Sequence, residues 1–104
     1  MTAHAPLEIL QKQAGDVAQR LRILAHPDRL IMLCRMSEGE VSVGELVDLT
    51  RLPQSSVSQH LAMLRDAGAV EARAEAQSRL YRITDAQVTA IIGALCAACG
   101  PGAA

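Results

Sequence analysis

At Val70 the spacing of apolar residues changes from a period of about 3.6 to a period of about 2, and near Asp85 it changes back. Val70, Ala72 and Ala74 alternate with Glu71, Arg73 and Glu75; beyond Ala76, Gln77 and Ser78, Tyr81 and Ile83 alternate with Leu80 and Arg82. Two alternating runs separated by short polar residues predict a β-hairpin. At 104 residues the chain is expected to be one domain over 1–104, with 1–6 and 100–104 as flexible tails.

The segments around the hairpin read as five helices. Leu7, Leu10, Ala14, Val17, Leu21 and Leu24 recur at spacings of three and four, a seam-like stripe on a first helix. In so small a chain such a seam predicts packing on a second copy or on the last helix. Pro27 and Asp28 open a second helix whose expected inner face is Leu30, Ile31, Leu33 and Cys34, ending at Glu38-Gly39-Glu40. Ser42 and Glu45 form an S-x-x-E capping box, so a third helix is expected over 43–50 with Leu46, Val47 and Leu49. Asp85 is the expected N-cap of the last helix, which carries Val88, Ile91, Ile92 and Leu95 inward and stops at Gly100-Pro101.

Arg51 and Leu52 make a tight turn into the fourth helix, which runs to Gly68. Val57, Leu61 and Leu64 form its apolar stripe, whereas Gln54, Ser55, Ser56, Ser58, Gln59 and His60 leave its start polar and almost uncharged. Short hydroxyls and amides in the first turns suit a helix lying against the donors and acceptors of a DNA major groove. Two helices joined by a short turn, the second polar at its start, is a helix-turn-helix, and the following hairpin makes it winged. Arg65 on the helix, Gln77, Ser78 and Arg79 at the hairpin tip, and Arg82 complete the expected DNA-contacting set.

Charge and composition agree with duplex DNA as partner. The net charge is −1, but Arg51, Arg65, Arg73, Arg79 and Arg82 outnumber the acidic residues between 51 and 84, leaving the remainder acidic. A basic half on an acidic body can hold phosphates on one face. Tyr81 is the only aromatic residue, which disfavours stacking on single-stranded bases. An enzyme is disfavoured: His4, His26 and His60 have no nucleophile or acid partner in sequence, and there is no glycine-rich phosphate loop. A non-DNA dimeric interaction module using the Leu7 to Leu24 seam remains the alternative. No targeting or membrane-spanning segment is seen, so a cytoplasmic protein without a membrane partner is expected. In a reducing compartment, Cys34, Cys96 and Cys99 point to thiol chemistry or metal binding, or to inert buried cysteines, rather than to a disulfide framework.

Leu24-Ala25-His26-Pro27-Asp28-Arg29-Leu30, Val43-Gly44-Glu45-Leu46, Gln54 through Gly68 and Arg79-Leu80-Tyr81-Arg82-Ile83 together resemble the ArsR/SmtB family of winged-helix repressors over nearly the whole chain. The resemblance implies a homodimer through the first and last helices, with Leu7, Leu10, Val17, Leu21, Val88, Ile91, Ile92 and Leu95 at the interface. It also implies binding to an imperfect palindrome in double-stranded DNA and release by a small inducer.

The arsenic-type thiol pair of that family would fall at Ser42 and Gly44, and the zinc-type site at Asp85, Gln87, Ala98 and Pro101; neither ligand set is present. The remaining cysteines are similar to the branch that responds to persulfides and polysulfides through one cysteine on the second helix and one on the last. That resemblance pairs Cys34 with Cys99 and leaves Cys96 as an additional thiol one turn away. A soft metal or metalloid such as arsenite or cadmium bound by Cys34, Cys96 and Cys99 is the competing reading. No cofactor is called for.

Overall fold

The computed structural model describes residues 5–100. The elements are α1 (Ala5–Leu24), α2 (Pro27–Met36), β1 (Val41–Ser42), α3 (Val43–Thr50), α4 (Gln54–Asp66), β2 (Val70–Glu75), β3 (Ser78–Ile83) and α5 (Ala86–Cys99). Five helices and a hairpin wing are the winged helix-turn-helix expected from the sequence. The N-terminal helix starts earlier than expected, taking in Ala5 and Pro6. Gly100, expected in the second tail, caps the end of α5 in an extended conformation; residues 1–4, His4 among them, and 101–104 lie outside the described residues.

Local chemistry sets the element ends. Ser42 Oγ accepts from the Glu45 amide at 3.1 Å while Glu45 Oε1 accepts from the Ser42 amide at 3.2 Å, the reciprocal capping box. Asp85 Oδ1 accepts from the amides of Gln87 at 2.8 Å and Val88 at 3.0 Å, starting α5. His26 caps α2 through Nδ1, which accepts from the Asp28 amide at 3.1 Å, and Pro27 follows at the first helical position. Gly68, at φ 78°, lets the chain leave α4 while Ala69 N donates to Leu64 O at 2.9 Å. Arg51 takes the left-handed conformation at the end of α3, with φ 61°.

The sheet has one strand more than the sequence suggested. Val41 and Ser42 pair antiparallel with Tyr81 and Leu80, giving the order β1-β3-β2. Two residues are too few for an alternating pattern to be read. Tyr81, paired with Val41 on one side and Ala72 on the other, is buried at the centre of the sheet. The β2–β3 turn is Ala76-Gln77, with Glu75 opposite Ser78 and Ala76 at φ 54°.

The core joins Leu24, Met32, Leu33, Met36, Val41, Leu46, Val57, Leu61, Leu64, Val70, Val88 and Ile92. On α2 the buried stripe is Arg29, Met32, Leu33 and Met36, the i, i+3, i+4, i+7 positions. The expected face was therefore rotated: Leu33 is inside, Leu30 and Cys34 are half-buried, and Ile31 is exposed. Leu49, on α3, is exposed as well. Val88 and Ile92, expected at a dimer surface, are wholly consumed by the chain's own core. Ile91 and Leu95 stay half-buried, and Leu7, Leu10 and Leu21 stay exposed along α1, with Val17 half-buried.

Candidate nucleic-acid interface and thiol pair

Helix α4 divides its residues by face. Val57, Leu61 and Leu64 are buried, which leaves Gln54, Ser55, Ser58, Gln59 and Arg65 exposed on the opposite side and Ser56 half-buried. His60 is the exception in the expected contact set, for it turns inward. Its Nδ1 lies 3.3 Å from Nη1 of Arg29, and its ring centroid is 4.6 Å from that of His26. Burial, followed by the neighbouring His26 and Arg29 charges, holds its pKa below the usual histidine value. The same guanidinium donates from Nε to the Ile23 carbonyl, so one buried cation fastens the end of α1 and the middle of α4 to α2.

The wing returns to the same side as the start of α4. A cleft of about 720 Å³ is lined by Gln54 and Ser58 of α4, Gln77, Ser78 and Arg79 of the wing, and Asp48 of α3. Among the described residues Arg79 makes no ion pair. Arg73 is held instead by Glu40 at 2.7 Å and 2.8 Å and by Glu75 at 2.8 Å, and its hydrogen bonds push the Glu40 pKa down. Arg82 lies 3.5 Å from Glu71.

On the far side, α2 and α5 meet at sulfur. Cys34 and Cys96 form a disulfide with Cα atoms 6.3 Å apart, within the range such bridges span. Cys99, which the sequence resemblance paired with Cys34, is instead exposed and unbridged. The helical period explains the difference. Val88, Ile92 and Cys96 succeed each other at i, i+4, i+8 on the face turned to α2, and Cys99 lies at the exposed end of the helix. All three sulfur residues nevertheless line one open, mainly apolar groove of about 810 Å³, together with Pro27, Leu30 and Leu95. Arg35, next to Cys34, directs its guanidinium to Glu45 Oε2 at 3.1 Å and the Gly39 carbonyl at 3.4 Å.

The three cysteines offer soft donors once the bridge is reduced. His26, Asp28 and His60 bring ligand atoms within 4.8 Å of one another, a trio not recognised from sequence because His60 lies on α4, away from the start of α2 that carries His26 and Asp28. Both imidazole Nδ1 atoms accept hydrogen bonds, from the Asp28 amide and from Arg29. Among the described residues no helix is long and apolar enough to cross a membrane.

Residues 26–72, from the cap of α2 into β2, match the profile of a family described as "bacterial regulatory protein, arsR family". Among curated proteins, the biofilm growth-associated repressor of Agrobacterium fabrum is 42% identical over 92% of this chain and 83% of its own length. Among solved structures, reduced HlyU from Vibrio cholerae superposes with a TM-score of 0.84 at 37% identity, covering 89% of this chain and 99% of that one. The transcriptional repressor BigR from Xylella fastidiosa gives 0.82 at 39% identity, covering 89% and 95%.

Proposed function

The chain belongs to the arsR family of bacterial regulatory proteins, DNA-binding transcriptional repressors rather than enzymes, and we propose that reactive sulfur species release it from its operator by oxidising Cys34 and Cys96. The observation that carries this reading is the placement of one thiol on α2 and one on α5 within bonding reach, in an apolar groove open to solvent.

The chemistry needs only an attacking thiolate and a resolving one. A thiolate at Cys34 takes a sulfur atom from a polysulfide, giving a persulfide and a polysulfide one sulfur shorter. Attack by the Cys96 thiolate on the sulfur bonded to Cys34 Cβ then expels hydrosulfide and closes the bridge. Net, two thiols and one sulfane sulfur become a disulfide and hydrogen sulfide.

The DNA-facing surface in this reading is Gln54, Ser55, Ser58 and Gln59 for base edges, with Arg65, Gln77, Ser78 and Arg79 for phosphates and the minor groove. Two copies, joined through the exposed apolar side of α1 and the half-buried Ile91 and Leu95 of α5, would read an imperfect palindrome. Bridging fixes α2 against α5. Because Arg29 of α2 holds His60 of α4, a change in α2 reaches the helix that reads DNA, which gives the inducer its differential grip on the two states.

Anisotropy of the reduced protein on duplex DNA from its own upstream region tests the reading. Polysulfide is expected to release the DNA, a thiol reductant to restore binding, and Cys34→Ser and Cys96→Ser each to abolish the response. Release by arsenite or cadmium without a polysulfide response would give the three cysteines to a soft metal instead. A reduced protein that binds no duplex would overturn the DNA assignment.

A further inference from the structure

Cys96 stands between two possible partners. Across α2–α5 its Cα is 6.3 Å from that of Cys34, and one turn along its own helix the Cα of Cys99 lies about 5 Å away by helical geometry; both separations fall within the disulfide range. Cys99 is free and exposed, and it lines the same groove as the bridge. It is also the last residue of α5, and Gly100 leaves the helix in an extended conformation immediately after it. The carbonyls of a terminal turn carry few intrahelical bonds, so this turn can tighten or fray at low cost.

We infer that Cys99 is a resolving thiol, which opens the Cys34–Cys96 bridge by intramolecular exchange and replaces it with a bridge inside α5. The Cys99 thiol gives its proton to solvent, and the thiolate attacks Cys96 Sγ. A Cys96–Cys99 bond forms as the Cys34–Cys96 bond breaks, and Cys34 leaves as a thiolate that takes up a proton. The number of disulfides is unchanged, so the step needs no added oxidant or reductant.

The two bridges differ in what they hold. The first ties α2 to α5; the second lies wholly within α5 and frees α2. Oxidised protein therefore exists in a latched and an unlatched form. The inference rests on the sulfur-responsive reading for its regulatory meaning, because the unlatched form regains the α2 freedom of reduced protein while remaining oxidised.

Trypsin separates the two forms cleanly. Cys34 lies in peptide 30–35, and Cys96 and Cys99 lie together in peptide 83–104. The full chain is oxidised with limiting polysulfide, incubated between pH 7 and pH 8.5, quenched with iodoacetamide and digested without reductant.

The exchange predicts that linked 30–35/83–104 gives way with time to alkylated 30–35 and to 83–104 closed on itself. Conversion should accelerate as the pH rises, because the thiolate and not the thiol attacks a disulfide. In Cys99→Ser the linked species should persist, several-fold more abundant than in wild type after the same interval. Fragmentation that finds only Cys34–Cys96 linkage in wild type at every time and pH, or a Cys34–Cys99 linkage, overturns the inference. Peptide mapping involves no DNA, so its outcome is independent of whether polysulfide releases the operator.

Discussion

Nη1 of Arg29 sits 3.3 Å from Nδ1 of His60, so a guanidinium that is almost fully buried donates to a neutral imidazole on the helix proposed to read DNA. The arrangement tolerates one proton state. A protonated His60 would have no lone pair for Arg29 and would add positive charge beside both Arg29 and His26.

The pH consequence has a definite sign. The His60 pKa is depressed below its ordinary 6.5, first by burial, so on acidification the unfolded chain takes up this proton before the folded one does. The His60 contribution is complete above about pH 7 and is lost as the pH falls through 6.5 to the depressed value. Urea midpoints measured from pH 8 to pH 5 should fall in wild type and fall less in His60→Gln, whose side-chain oxygen still accepts from Arg29. Equal slopes in the two proteins would remove His60 as the source.

Arg29→Met keeps much of the volume but leaves the Ile23 carbonyl and His60 Nδ1 without their donor. A loss of about 1.5–3 kcal/mol is expected for hydrogen bonds made by a charged, buried group. Urea denaturation at neutral pH measures it directly, and a loss below about 0.5 kcal/mol would mean that water replaces the guanidinium.

Asp85 caps α5 and also accepts from Arg20 Nε at 3.0 Å, which ties α1 to the wing-side end of α5. Its pKa is lowered, first by the Val88 amide, so its contribution is present above about pH 4 and disappears as the pH falls below that. Asp85→Ala should cost about 0.5–2 kcal/mol at neutral pH, the range for a lost N-cap. Asp85→Asn retains an accepting oxygen and should recover part of that loss.

Arg79 and Arg73 sit on the same hairpin in opposite circumstances. Arg79 has no carboxylate partner among the described residues, whereas Arg73 is clamped by Glu40 and Glu75. Removing Arg79 should lower the slope of log affinity against log salt by about 1, the mark of one lost phosphate contact, while Arg73→Ala should leave that slope unchanged. Gln59→Ala should keep the slope but shrink the preference for operator over unrelated duplex by about 1–3 kcal/mol. Fluorescence anisotropy at several salt concentrations separates the three outcomes.

The sequence was most legible where a residue's role is decided within one turn of chain. The capping box at Ser42 and Glu45, the Asp85 cap and the Val57-Leu61-Leu64 stripe all read directly from spacing. It was least legible where the partner lies on another element. Arg29 was passed over because an arginine among apolar residues reads as surface. Yet Arg29, Met32, Leu33 and Met36 make a regular i, i+3, i+4, i+7 stripe, and that spacing was the available signal for which face of α2 is inside. Once α2 is rotated accordingly, Ile31 moves outward and Cys34 comes to face α5. Periodicity likewise put Val88 and Ile92 on one side of α5 without saying whether that side meets this chain or another. The choice of Cys96 over Cys99 depends on that same inward line.

Tyr81 gives this protein a built-in optical reporter. It is the sole aromatic residue among 104, there being no tryptophan or phenylalanine, and it is buried in the middle strand with Val41 and Ala72 as its cross-strand neighbours. Intrinsic emission therefore comes from one chromophore at the seam where the wing meets the segment leading into α3. Loosening of that seam can be followed on unlabelled protein, with no second fluorophore to obscure it.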